Sequence, residues 1–216
     1  MKNIEKQLEN LNGIKELMEK STQFLSLSGL SGIFAGVFAL LGAALVYFRY
    51  TAFFNERYLH NLSFGKDQMM HGQTLNDFLL FSIFTALIVL VLAIVTAIFF
   101  SYRKAKKSGN TVWNHSAQRL IANLFLPILA GGLFIIALAF HHLYYLIAPV
   151  TLIFYGLGLI NAAKYTLHDI RYLGLLEILL GLISSYFVGF GLLFWSLGFG
   201  LLHIIYGFVM YVKYEK

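Results

Sequence analysis

The sequence contains no cysteine, which excludes disulfides, thiolate metal sites and cysteine nucleophiles. Proline is nearly absent too, with only Pro127 and Pro149 in 216 residues, so long helices meet few breakers. Charge is scarce. Charged residues make up 12% of the chain against 59% hydrophobic residues, and the mean hydropathy is +0.73. A soluble chain of this length needs more polar surface than that, so the composition points to a membrane domain. Recognisable catalytic signatures are missing as well. There is no glycine-rich phosphate loop, no Gly-x-Ser-x-Gly elbow and no His-Glu-x-x-His. The reading therefore leans away from an enzyme, and no cofactor is implied.

What is present is a series of apolar runs near 20 residues, the length that crosses a bilayer. They predict an all-α integral membrane bundle of six transmembrane helices in three hairpins. The expected spans are about 24–48, 78–102, 120–140, 143–163, 171–188 and 192–212. Helices are required because every backbone group must be satisfied inside hydrocarbon. The distribution of Lys and Arg sets an orientation. With the N-terminus inside, Lys2, Lys6, Lys15, Lys20, Arg103, Lys104, Lys106, Lys107, Arg119, Lys164, Arg171, Lys213 and Lys216 fall on the cytoplasmic side. Only Arg49, Arg57 and Lys66 fall outside. This bias predicts both termini in the cytoplasm, and the short loops and lack of sorting signals point to a bacterial plasma membrane. The formal charge of +6 is thereby a topological signal and an attraction for anionic lipid headgroups, with no nucleic-acid partner implied.

Residues 1–22 form a separate segment. Ile4, Leu8, Leu11, Ile14, Leu17 and Met18 recur at roughly helical spacing, with four Lys balanced by four Glu. They predict a short amphipathic helix on the cytoplasmic face, acting as an interfacial anchor or a docking place for a cytoplasmic partner. Residues 49–77 read as the longest outer loop.

Small residues punctuate the spans. Ser28, Gly32, Gly36, Ala39 and Ala43 form a stripe in the first span, which lets another backbone approach closely. Glycines also recur seven residues apart, as Gly29 with Gly36, Gly174 with Gly181, Gly191 with Gly198, and Gly200 with Gly207. Gly29-Leu30…Ile33…Gly36 matches Gly174-Leu175…Ile178…Gly181 in register, a trace of internal duplication. Such faces serve packing within one chain or between copies of a homo-oligomer.

The stretch Leu173-Gly-Leu-Leu-Glu-Ile-Leu-Leu-Gly-Leu, followed by a turn and Leu197-Gly-Phe-Gly-Leu-Leu-His-Ile-Ile-Tyr-Gly, resembles the two-helix repeat of the HdeD-type acid-resistance membrane proteins. The resemblance covers mainly residues 173–207, with echoes in Ala130-Gly-Gly-Leu and Tyr155-Gly-Leu-Gly-Leu-Ile. It implies a six-span inner-membrane protein built from hairpins, and a role in stress. The chain departs from that pattern in its N-terminal segment and long first outer loop, and no site residues carry over.

Four polar residues within the spans are candidates for an intramembrane site: Glu177, His203, Asn123 and Asn161. A carboxylate in hydrocarbon is costly unless it is neutralised by a proton or paired with an imidazole. Glu177 and His203 fall at similar depths in the adjacent fifth and sixth spans, counted at about 1.5 Å per residue. Such a pair suits proton exchange, or it fixes helix register as a buried hydrogen-bonded pair. Asn123 and Asn161, with Gln118 and Arg119, cluster toward the cytoplasmic ends of spans three and four. Pro127 cannot donate to the Asn123 carbonyl and Pro149 cannot donate to that of Tyr145, so both carbonyls are freed. On the outer side, His60, Met69, Met70, His71, His141 and His142 offer imidazole and thioether ligands suited to copper or zinc, without a fixed ligand spacing. Lys164, His168, Asp169 and Arg171 in an inner loop suit a phosphate or lipid headgroup, or simply local ion pairs. The leading expectation is a non-enzymatic, stress-related membrane protein acting through packing and partners. The alternatives are a proton-linked carrier or channel using Glu177 and His203, and an outer-facing metal-binding protein.

Overall fold

The structure is a computed structural model that describes residue 24 and residues 27–64, 68–109 and 113–216, with side chains left aside over 53–76. The amphipathic helix expected over residues 1–22 lies outside the described residues. All regular structure among the described residues is helical. The long elements are α1 (Gly29–Phe64), α2 (Gln68–Lys107), α3 (His115–Phe140), α4 (Ile147–Ala162) and α5 (Ile170–Tyr186). The last run is composite: α6 (Gly191–Trp195), a π-helical segment over Ser196–Leu202, and α7 (His203–Tyr214). Short 3₁₀ turns at Tyr144–Leu146 and Ala163–Tyr165 bracket α4.

Five of these stretches are long and apolar enough to cross a membrane: Gly29–Ala52, Asp77–Lys107, His115–Phe140, Tyr144–Tyr165 and Gly191–Tyr214. The architecture fits a multi-pass membrane protein. α2 makes the point most directly, because Leu80, Ile83, Leu87, Ile88, Leu90 and Phe99, which point to different sides of the helix, are all more than half exposed. A helix apolar on nearly every face is stable only where hydrocarbon, not water, surrounds it.

Two elements differ from the expectation. The first helix does not end near Phe48; it continues to Phe64, and the next begins at Gln68. Most of the segment read as an outer loop is therefore helical. The reason lies in the breakers: no Gly or Pro occurs between Phe48 and Gly65, and aromatic and charged residues tolerate a helix well enough to extend one already nucleated. Phe24 is the second difference. It precedes the helix, and its backbone N–H donates to the Tyr165 carbonyl (2.7 Å) while its own carbonyl accepts from Thr166 Oγ1 (2.7 Å).

The chain forms two compact units. The first comprises residues 101–183 with the start of the described chain up to Leu27, and it contains α3, α4 and most of α5. Close α3–α4 packing rests on small residues. A Cβ on Gly158 would stand 2.9 Å from the Leu124 carbonyl, and one on Gly131 would meet the Phe154 side chain. Asn114 caps α3 by accepting from the Ala117 N–H (2.8 Å), a standard N-cap interaction.

The second unit comprises residues 28–100 and 184–216. Here α1 packs along the π-segment and α7, and Phe34 stacks on Phe100 at 5.2 Å. Its two chain ends are clasped together. The Glu215 carboxylate accepts from the Gly29 N–H (2.6 Å) and from Ser28 Oγ (3.1 Å). It thus caps the N-terminus of α1 from the far end of the chain and complements the positive end of the helix dipole. Replacing Glu215 with alanine is expected to destabilise this unit by about 1–2 kcal/mol, the usual loss for a helix cap with a charge contribution. A thermal melt of purified protein checks it, and an unchanged midpoint would show that the clasp contributes nothing.

Candidate functional site

The helix pairs that carry the candidate residues are held by one repeated backbone contact. In the first unit, a Cβ on Gly156 would stand 2.6 Å from the Gly174 carbonyl and 3.0 Å from the Ile178 N–H, and one on Gly174 would stand 2.7 Å from the Gly156 carbonyl and 3.1 Å from the Ile160 N–H. Two turns farther along, Gly181 meets the Pro149 carbonyl and the Ile153 N–H. The second unit has the same arrangement. Gly29 lies on the Gly207 carbonyl and the Tyr211 N–H, Gly207 on the Gly29 carbonyl and the Ile33 N–H, and Gly36 on the Gly200 carbonyl and the Ile204 N–H. Each glycine fits between a carbonyl and the N–H four residues on, which only a residue without a side chain permits.

These contacts define an equivalence between the α5–α4 pair and the α1–α7 pair. The matched run Gly29…Ile33…Gly36 and Gly174…Ile178…Gly181 is the groove-forming side in both. Its counterpart is the pair Ile153-Phe-Tyr155-Gly156 and Ile204-Ile-Tyr206-Gly207, a sequence match that reading for glycine spacing alone does not isolate. In this register Glu177 takes the place held by Gly32, and His203 the place held by Leu152. Glu177 and His203 therefore stand where the repeat departs from itself.

Glu177 lies on α5 in the first unit, three residues beyond Gly174 on the groove side. Its side chain is fully buried (0% exposed), and it interacts electrostatically with Tyr155, the residue next to Gly156 on α4. Tyr155 is a participant that sequence reasoning passed over; the repeated Ile-x-Tyr-Gly was its available signal. His203 belongs to the second unit and is buried at the junction of the π-segment and α7. Its Nδ1 stands 3.0 Å from the Gly198 carbonyl. A carbonyl only accepts, so Nδ1 carries the proton and donates, and neutral His203 has its lone pair on Nε2. Phe199 stacks against the ring at 5.9 Å. A π-turn widens the helix by one residue per turn and is commonly found at functional sites.

Asn123 and Asn161 are brought together in the first unit. Asn161 Nδ2 donates to both the Asn123 carbonyl and Asn123 Oδ1, each at 3.1 Å, while Asn123 Nδ2 donates to the Arg119 carbonyl (2.8 Å). This answers the question raised by Pro127. The carbonyl that the proline leaves without its helical donor is satisfied from the neighbouring helix. Pro149 sits in the first turn of α4, where a missing N–H costs little.

Among the metal candidates, His60 lies on α1 and Met69, Met70 and His71 on the first turn of α2, with side chains outside the described residues. His141 and His142 form the turn after α3. His142 adopts a left-handed backbone (φ 59) and its Nδ1 is 3.0 Å from the Tyr144 hydroxyl. Among the described residues, no group of three or more His, Asp or Glu is arranged to hold a metal ion. Comparison with protein families, curated proteins and solved structures finds no match for this chain.

Proposed function

We propose that the chain is a six-span, non-enzymatic protein of the bacterial plasma membrane, with both termini cytoplasmic, and that it acts as a small proton-linked carrier or channel with Glu177 as the proton-exchanging group. The complete burial of the Glu177 side chain, on α5 packed against a helix long and apolar enough to cross a membrane, carries this reading. Ionisable residues at that depth are expensive, and they mark proton or substrate pathways by default. The sixth span is α5, whose seventeen residues reach about 25 Å at 1.5 Å per residue, within the range of short spans. The test is proton flux in proteoliposomes containing a pH-sensitive dye under an imposed potential. Flux above empty vesicles supports the reading; no excess flux at any pH from 5 to 8 (roughly the range over which carboxyl and imidazole groups exchange protons) removes it.

A second reading is a stress-related protein acting through packing and partners. It is favoured by the recurrence of the glycine contact in both units, and by the likeness of residues 173–207 to the HdeD-type repeat. Deletion of the gene tests it: survival of acid challenge equal to that of the parent strain rejects the stress role.

A further inference from the structure

One end of the first unit carries a concentration of positive charge that the carrier reading does not use. Arg103, Lys106 and Lys107 close α2, Arg119 stands in the second turn of α3, and Lys164 and Arg171 flank the turn between α4 and α5; all six are exposed. The chain ties these elements to one another. Lys104 Nζ donates to the Leu27 carbonyl (2.7 Å), and Phe24, three residues earlier, is bonded to Tyr165 and Thr166. Three residues span at most about 11 Å, so the basic end of α2 lies close to the α4–α5 turn. α3 packs against the 3₁₀ segment Ala163–Tyr165, which adds Arg119 to the same end.

The frame beneath these cations is fixed. Thr166, Leu167 and Ile170 are buried, and the turn closes through Ile170 N–H to the Leu167 carbonyl and Arg171 N–H to the His168 carbonyl, both 3.1 Å. Among the described residues of the first unit the carboxylates are half-buried Asp169 and fully buried Glu177, so positive charge dominates the exposed surface. Trp113 and Tyr172, 68% and 62% exposed, flank the cations as aromatic residues do at the headgroup level of a bilayer.

We propose that this face binds the phosphodiester headgroups of anionic phospholipids in the adjacent leaflet. Guanidinium and ammonium groups are strong charge-assisted donors to phosphate oxygens, and the fixed turn holds several of them without further ordering. The apolar helices below supply the surface for the acyl chains. This placement favours a lipid over an acidic protein, which would require no hydrocarbon beside the charge.

The test uses the full chain in mixed micelles with equal phosphatidylglycerol and phosphatidylethanolamine, with retained lipid counted by native mass spectrometry. Phosphatidylglycerol is expected to be retained over phosphatidylethanolamine by about tenfold or more, from the attraction of several cations near an anionic surface. Combining Arg119→Gln, Lys164→Gln and Arg171→Gln should remove most of this preference, whereas Arg119→Lys with Arg171→Lys should keep it. Should the glutamine triple variant lose its helical circular dichroism, Lys106→Gln with Lys107→Gln makes the same comparison at the exposed end of α2. Equal retention of the two lipids by the wild-type chain would overturn the proposal, as would an unchanged preference in folded glutamine variants. Displacement of the lipid by inorganic phosphate alone would also overturn it, assigning the face to a free anion. An acidic protein binding there while phosphatidylglycerol is ignored would do the same.

Discussion

Gly156→Val is expected to prevent α4 and α5 from packing and to leave little folded protein. The new Cβ would stand 2.6 Å from the Gly174 carbonyl and 3.0 Å from the Ile178 N–H. Both of these are backbone atoms, and Ile178 Cγ1 stands at 2.7 Å besides, so side-chain rotation alone does not relieve the clash and the two helices must separate. Overpacking that side chains can absorb costs about 1–3 kcal/mol. A clash that moves a whole helix also forfeits the contacts along the crossing, so at least about 3 kcal/mol is expected for valine, and alanine, whose Cβ meets the same backbone atoms, should be destabilising as well. Gly132 on α3 is the internal control, since a Cβ there meets nothing within 4 Å. Gly132→Ala should be neutral or stabilising by up to about 1 kcal/mol, because alanine loses less conformational freedom in a helix. Yield of monodisperse protein and thermal melts in detergent report both. Wild-type melting of Gly156→Val would refute the close crossing itself.

Glu177→Gln is expected to reduce proton flux to the level of empty vesicles while the protein still folds and melts near the wild-type temperature. Glutamine keeps the shape and hydrogen-bonding capacity of a neutral glutamic acid but cannot release a proton. Glu177→Leu separates function from packing more sharply. Replacing a buried ionisable group by a well-packed apolar one is often neutral or stabilising, so leucine should remove flux and leave the fold intact or firmer. A purely structural Glu177 predicts the opposite pattern, with transport preserved in both variants. Flux retained in Glu177→Gln at wild-type rate would end the case for this residue as the exchanging group.

Much of the fold was legible because membrane-length apolar runs and the scarcity of breakers are local properties. The glycine spacing in α1 and α5 identified faces that do make close helix contacts, and the proximity of Asn123 and Asn161 followed from their clustering toward the same ends of two neighbouring helices. The length of α1 was not legible in the same way. Arg49, Arg57 and the aromatics around them suggest a loop by composition, but helix propagation past Phe48 depends on the absence of glycine and proline, which is a weaker signal than charge. Tyr155 was read only as the start of a glycine-containing run. The Ile-x-Tyr-Gly repeat at 153–156 and 204–207 is present in the sequence, but its place opposite the Glu177 helix shows only when α4 is laid beside α5 with Gly156 on Gly174.

The sequence by itself determined the class of this protein: all-helical, suited to a bilayer, without cysteine chemistry, and punctuated by glycines at helical spacing. Hydropathy and propensity act over a turn or a span, so they are written in neighbouring residues. The tertiary structure alone decided which partner each glycine meets, that Glu215 caps the helix starting at Gly29, and that Asn161 satisfies the carbonyl freed by Pro127. Those outcomes join residues far apart in the chain, and the chain encodes them only through the backbone approach and hydrogen-bond satisfaction that appear once the helices are packed.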